Sequence, residues 1–356
     1  MTINQGKIQE LANKHSLPFT DALLIALNCS GLSSAGLSDN RIRFKLKTDG
    51  DNNLFFLAIC VNTSSTSFAI KDDKLLLNNQ VVGEVNDLEN DTCTESYFRR
   101  QGTALTLNSN SRSQCIGCKF CGTYNLSSDD KQPLLNERYL REYLTAIKNK
   151  INLNDFSTLE EVAVCTGCFK SEDDLVIHLL TLKKVLSEFN FTKEIKYIGS
   201  QLISVDKIKL LKEAMGDFAL YFTVECFTRR EELLRPEKKL GLEEIESILA
   251  AAKNIGVQTS IVYILGLDEL TDFTAGMNLF KNSLTRYPII NVMQNYIPEQ
   301  EDLKVATAKE LDYYLRARKI CENIYTDSDL RPQLWEGYRN LWYTTYAGTP
   351  LMGPKI

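Results

Sequence analysis

From Gly102 to about residue 300, short apolar runs alternate with stretches of helical periodicity, and this alternation narrows the possible folds of the 356-residue chain more than any other feature. The segments 103–108, 162–167, 195–200, 219–226, 257–265 and 289–296 read as strands. Helix-start signals stand between them. Ser171-Glu-Asp-Asp174 has the form of a capping box and opens a run in which Leu175, Leu179, Leu182, Leu186 and Phe189 share one face. Ser204 begins a second helix. Leu242, Ile245, Leu249 and Ala252 line a third, which ends at Gly256 just ahead of the apolar run Val257–Leu265. Parallel neighbours need long crossovers, usually helical, so the pattern predicts six βα units in one sheet.

The flanking segments have a different texture. Residues 1–40 carry helical spacing at Ile8 and Leu11 and again at Leu23, Leu24 and Leu27. Residues 41–101 hold short alternating runs, such as Arg41-Ile-Arg-Phe-Lys-Leu-Lys47, broken by Asp-Gly and Asn-Asn turns, which predicts a small antiparallel β module. After residue 300 a helix is expected from Thr307-Ala-Lys-Glu310. An aromatic stretch then follows from Leu334 to Tyr346, in which Leu334, Trp335, Tyr338, Leu341 and Trp342 would form the inner face of a closing helix; the alternative is a substrate lid in which Trp335, Tyr338, Trp342, Tyr343 and Tyr346 stack on a ring and Arg331 or Arg339 grips a carboxylate or phosphate. The expected fold class is α/β, a partial (β/α)6 TIM-like barrel over 102–300. It carries an N-terminal helical and β-rich extension (1–40 and 41–101) and a C-terminal helical, aromatic-rich segment (301–356).

Forty-one basic residues against 46 acidic ones give a net charge of −5, which provides no field for nucleic acid or anionic lipid. The start, Met1-Thr-Ile-Asn-Gln-Gly-Lys7, has no apolar core of a leader peptide, so the ten cysteines are expected as reduced thiols in the cytoplasm. The longest apolar runs, such as Ala22–Leu27, fall far short of the roughly 18 residues of a membrane span.

Three of those cysteines, Cys115, Cys118 and Cys121, stand in one short loop directly after the first expected strand, Ser113-Gln-Cys-Ile-Gly-Cys-Lys-Phe-Cys-Gly-Thr123. Barrel enzymes place their active sites on such loops. Closed iron–sulfur and zinc sites take four protein ligands, whereas three thiolates on a cubane leave one iron open to a non-protein ligand. A ferredoxin loop shares the first spacing but continues to a fourth Cys-Pro, where this chain has Gly122-Thr-Tyr-Asn125. A zinc site would join the loop to Cys165-Thr-Gly-Cys168, with one thiol too many. Plain buried thiols are the remaining alternative.

This loop, with Phe120 immediately before the last cysteine and a six-unit βα array around it, resembles the radical S-adenosylmethionine (SAM) superfamily over residues 102–300. Two residues separate the first two cysteines, one fewer than is usual in that family. The resemblance implies a [4Fe-4S] cluster held by Cys115, Cys118 and Cys121. S-adenosyl-L-methionine would chelate the open iron and be cleaved reductively to a 5′-deoxyadenosyl radical. It further implies a nucleotide site at the carboxyl ends of the strands. Phe120 would border the cluster. Thr166 and Gly167 would meet the methionine ammonium, and Cys168 stands where the family has Glu. Glu225, alone in an apolar strand, would meet the ribose hydroxyls, with Arg229, Arg230 or Arg235 at the carboxylate of the same ligand; an internal ion pair of Glu225 with one of these arginines is the alternative. Ile264 and Gly266 would cover the adenine, and Asn295 or Tyr296 would meet its edge. Arg112 is a further candidate anion anchor. His178 is expected within a helix away from the barrel mouth and His15 at the surface. The implied substrate is a small metabolite in a biosynthetic pathway, with flavodoxin or ferredoxin as reductant and with no nucleic acid or membrane partner. The competing classes are a non-catalytic iron–sulfur carrier and a structural zinc protein.

Overall fold

The computed structural model describes residues 3–33, 41–51, 53–62, 67–91, 96–108, 117–122, 132–234, 240–334, 337 and 339–353. Two helices open the chain, α1 (Gln5–Lys14) and α2 (Phe19–Ser30). The side chain of Asn4 caps α1 by accepting from the Lys7 amide. Strands β1 (Leu32–Ser33), β2 (Arg41–Thr48), β3 (Leu54–Asn62), β4 (Phe68–Lys71), β5 (Lys74–Leu77) and β6 (Gln80–Asn90) form one sheet in the order β1-β3-β2-β6-β5-β4. Its pairings are antiparallel apart from β1 with β3. In β2 the alternating Ile42, Phe44 and Leu46 are fully buried, as period-two patterning requires. Arg41 and Arg43 on the opposite face are buried as well, and both pair with Asp91.

The second sheet has seven strands in the order β13-β12-β11-β10-β9-β8-β7 and curls into a half-barrel. These are β7 (Tyr97–Arg99), β8 (Ala104–Leu107), β9 (Glu161–Val164), β10 (Glu194–Gly199), β11 (Phe218–Glu225), β12 (Gln258–Leu265) and β13 (Ile289–Val292). From β8 to β13 every pairing is parallel; β7, inside the 41–101 stretch, joins β8 antiparallel. The connections carry α3 (Glu137–Lys150), α4 (Glu172–Glu188), α5 (Val205–Met215), α6 (Arg230–Leu233), α7 (Leu242–Asn254) and α8 (Leu270–Phe280). Ser171 caps α4 as its sequence predicts, accepting from the Asp174 amide at 3.1 Å. Ser204 precedes α5 without a side-chain cap bond.

Strand alternation divides the large sheet into two faces. Leu220, Phe222 and Val224 of β11 join the helix-side core, so Tyr221 and Thr223 project from the other face. Toward the amino ends that second face is charged. Glu161 is buried between Arg99 and Lys196, and the Lys196 ammonium lies 4.5 Å from the centre of the Tyr221 ring. Arg286 grips Glu194 through both guanidinium arms.

The carboxyl-terminal part departs from expectation. Helix α9 (Leu311–Ile324) starts at Leu311, and residues 306–309 form a 3-10 turn ahead of it. No closing helix follows among the described residues. The carbonyl of Arg339 instead accepts from the Val292 amide at 2.8 Å, so the chain there runs along the exposed edge of β13, satisfying a backbone group that a helix would leave unpaired. Leu341 and Trp342 are buried all the same. Arg318, fully buried in α9, donates to Asp21 of α2, to Glu322 and to the carbonyls of Leu341 and Thr345, tying the tail to the amino-terminal helices. A short hairpin, β14 (Thr345–Tyr346) with β15 (Thr349–Pro350), ends the described chain. Among the described residues no helix is long and apolar enough to cross a membrane.

Candidate functional site

The described part of the cysteine loop, 117–122, lies over the carboxyl ends of strands well removed in sheet order from β8, the strand it follows. Cys118 and Phe120 are buried in a small apolar cluster with Cys226 after β11, Leu233 and Leu234 of the α6 turn, Ile264 and Leu267 of β12 and its exit, and Met293 after β13. The Cys121 amide donates to the Cys118 carbonyl at 2.9 Å, and the Lys119 amide to the Leu233 carbonyl at 3.1 Å. Cys121 is half-buried. Cys115 and Arg112 lie outside the described residues, as do Arg235, Trp335 and Tyr338. Among the described residues no three metal-ligating side chains gather at one point.

Gln300, a residue that sequence reasoning missed, fixes this loop. Its side-chain amide donates to the carbonyls of Lys119 at 2.8 Å and Cys121 at 3.2 Å, while its oxygen accepts from the Tyr296 amide at 2.7 Å. At 1% exposure, Gln300 joins the loop to the exit of β13 with every polar atom employed. Nothing in the sequence marks it; a glutamine in Pro298-Glu-Gln-Glu301 reads as surface.

The end of β11 is strained. Glu225 has φ of 71°, in the left-handed region that a side chain of this size rarely enters, and a register shift stands between Thr223 and Glu225. The strand is held in this form by a second missed residue, Asp268, which is fully buried. It accepts from the amides of Phe227 at 2.7 Å and Thr228 at 2.8 Å, from the Thr228 hydroxyl, and from the Tyr263 hydroxyl at 2.8 Å. Its sequence signal was an acid two residues past the glycine that ends β12. Burial pushes the Cys226 thiol up, helped by the negative field of Asp268.

Other expected residues divide. Ile264 meets the cysteine loop directly. Gly266 has φ of 120°, and a Cβ there would come within 3.2 Å of the Met293 Cβ and of the Tyr314 hydroxyl, so β12 can close on β13 only through glycine. Thr166 is fully buried, Gly167 has φ of 68° and Cys168 is half-buried. The turn they form is fixed by Gln201, which pairs both of its amide atoms with the Phe169 backbone. Arg229 turns away from Glu225. It forks onto Glu232 and donates to the Leu303 carbonyl at 2.7 Å. Arg230 caps the end of β11 through the carbonyls of Val224 and Cys226. The Tyr296 hydroxyl accepts from Arg41 of the amino-terminal sheet at 3.1 Å and from Arg339 of the tail at 3.0 Å. Asn295 meets Glu301.

Among the described residues two hydroxyls near this end have no partner: Ser200 Oγ just past β10, and Thr223 Oγ1 on the inner face of β11. Gly199 and Phe222 are register partners, which sets these two positions side by side. Of the histidines, His178 is buried on α4 with Nδ1 at the Leu134 carbonyl, away from the loop; His15 is partly covered and bonds Asp312 at 2.8 Å instead of standing free at the surface. No protein-family model matches the chain, and no curated protein is similar to it.

Proposed function

We propose that this chain is a radical SAM-type enzyme built on a partial (β/α)6 barrel and acting on a small metabolite. The observation that carries the proposal is the lodging of Cys118 and Phe120 against Cys226, Ile264 and Met293. It puts the described part of the Cys-x-x-Cys-x-x-Cys loop, 117–122, across the carboxyl ends of parallel strands, where α/β folds bind ligands. Cys115, Cys118 and Cys121 would hold a [4Fe-4S] cluster, and Thr166, Gly167, Glu225, Ile264 and Gly266 would line the nucleotide. The residues present fit such a ligand. The unpartnered hydroxyls of Ser200 and Thr223 and the strained backbone at Glu225 sit at the same strand ends. Bound there, the cluster, reduced by one electron from a flavodoxin or ferredoxin, would supply S-adenosyl-L-methionine with reductive cleavage chemistry at its sulfonium.

The chain's own groups have simpler tasks. Gln300 orients the cysteine loop by its two carbonyls, and Asp268 fixes the turn that presents Glu225. The apolar cluster around Cys118 keeps water from that side of the loop.

One observation favours a second reading. Cys226 is buried in the same cluster as Cys118, so a site with four thiolates, structural or a cluster carrier, is the alternative. Anaerobic reconstitution with iron and sulfide, then dithionite and S-adenosyl-L-methionine, separates the two. The enzyme reading expects 5′-deoxyadenosine, retention of the cluster in Cys226→Ala, and loss of both cluster and cleavage in alanine variants of Cys115, Cys118 or Cys121. Loss of the cluster in Cys226→Ala, or no nucleoside above the free-cluster background, overturns it.

A further inference from the structure

One strand of the amino-terminal sheet reaches both ends of the seven-stranded half-barrel. On β2, Arg43 lies over the ring of Tyr97 in β7, 5.4 Å from Cζ to the ring centre, and Arg41 lies over the ring of Tyr296, past β13, at 5.6 Å. Strands β7 and β13 are the two edges of the sheet, so side chains two residues apart on one face of β2 span the opening between them. The inner face of the half-barrel thus looks across its lumen at β2. Toward its base that face is apolar, where Ala219, Tyr221, Val262 and Ile289 pack together apart from the helix-side core. Nearer the carboxyl ends stand the hydroxyls of Ser200, 5% exposed, and Thr223, which have no partner among the described residues and which polar atoms of a ligand would satisfy.

The β2 side of the lumen is buried and rich in cations. Arg41 and Arg43 are both buried, and Asp91 pairs with the first at 2.5 Å and with the second at 3.8 Å. Arg41 also donates to the Tyr296 hydroxyl at 3.1 Å, and Arg339, half-buried on the tail, donates to the same oxygen at 3.0 Å. Two guanidinium groups far apart in the chain therefore stand one neutral hydroxyl apart. Like charges at that range repel, more so where water is excluded, and an anion beside Tyr296 would be drawn to both. An oxyanion also matches the shape of the guanidinium fork. The place adjoins the cysteine loop, because the Gln300 side chain that accepts from the Tyr296 amide is the one that donates to the carbonyls of Lys119 and Cys121.

We propose that Arg41 and Arg339 bind an oxyanion group of the substrate, a carboxylate or a phosphate, at the mouth of the half-barrel. This rests on the reading of that mouth as the active site of a radical enzyme and supplies the substrate class which that reading leaves open. The test has two arms. In the first, the full chain without metal is titrated calorimetrically at constant ionic strength with methyl phosphate, pyrophosphate, acetate and succinate. Saturable binding of at least one is expected, and the preferred probe tells phosphate from carboxylate. Arg339→Gln should weaken that binding about tenfold or more, as loss of a charged hydrogen bond requires. Arg41→Lys keeps a cation beside Asp91 but loses the fork, and should weaken it as well; if that variant fails to fold, Arg339→Gln decides. No binding of any probe up to about 10 mM, the range of the weakest specific complexes, overturns the proposal, as does binding that neither substitution changes. In the second arm the anaerobically reconstituted chain, saturated with S-adenosyl-L-methionine, should still bind the same anion. Displacement of the anion overturns the proposal, since the arginines would then hold the methionine carboxylate. The first arm involves no metal and reads no nucleoside, so anion binding by a chain that yields no 5′-deoxyadenosine supports this site while refuting the radical reading.

Discussion

Replacing Gln300 by Leu tests how the cysteine loop is held, with no cofactor involved. The substitution keeps the volume and removes three hydrogen bonds, leaving the carbonyls of Lys119 and Cys121 and the amide of Tyr296 without their partner. The two bonds that tie the loop itself, to the carbonyls of Lys119 and Cys121, are worth a net of about 1 kcal/mol each, so the loop is released by about 2 kcal/mol, roughly 30-fold in its opening equilibrium. Glu in the same place loses the same two bonds and keeps the one from Tyr296, so a similar change of roughly 30-fold is expected. Cys118 reports the opening, because at 4% exposure it reacts only when the loop lifts. Pulsed alkylation of the metal-free chain, with each cysteine followed by mass spectrometry, should show Cys118 labelled faster in both variants than in wild type. Cys321, fully buried in α9, should not change and thereby reports that the rest of the molecule stays folded. A Cys118 rate in Gln300→Leu within about twofold of wild type would refute the anchoring role, since the lost bonds would then be worth under about 0.5 kcal/mol.

Other substitutions address the scaffold around the loop. Asp268→Asn puts an NH2 among donors that need a carboxylate, losing about two charged hydrogen bonds and about 3–5 kcal/mol in urea unfolding; an unchanged midpoint would show that the clamp is idle. Gly266→Ala combines a left-handed φ with 3.2 Å contacts to Met293 and Tyr314, and should cost about 1–3 kcal/mol or more, read as a fall in Tm. For Glu161, burial opposes ionisation, but Lys196 and Arg99 prevail and hold its carboxyl below the ordinary value of 4.5. Its contribution is therefore present above pH 4.5 and lost as the pH falls through the lowered folded value. The stability gap between wild type and Glu161→Gln should shrink below pH 4.5, and a gap that stays constant from neutral pH down to about 3 would contradict this.

Six of the seven strands of the large sheet, β8 to β13, were legible because each is an apolar run buried on its helix side, a property of local composition; the seventh, β7, lies in the stretch read as a separate β module, so the expectation of a six-stranded sheet was wrong. Ser171 could be read as a cap for the same reason: its partner amide is three residues away. The closing helix was misread because aromatic spacing says only that side chains will be buried. Whether the backbone is helical was decided by the bare edge of β13, which the chain at Arg339 satisfies from more than forty residues downstream. Arg229 stands four residues past Glu225 in sequence, and in the structure a carboxylate three residues on, Glu232, takes its guanidinium.

Local pattern by itself settled the alternation of strands and helices, the position of the cysteine loop after β8 and the glycines at strand ends, since each depends on neighbours a few residues apart. The anchoring of that loop by Gln300, the clamping of the turn after Glu225 by Asp268 and the meeting of Arg41 and Arg339 at Tyr296 belong to the tertiary structure alone. The first two were invisible because a polar side chain looks the same in sequence whether water or a distant backbone amide satisfies it. Only the packing of the sheet's carboxyl end removes the water and makes the partner obligatory.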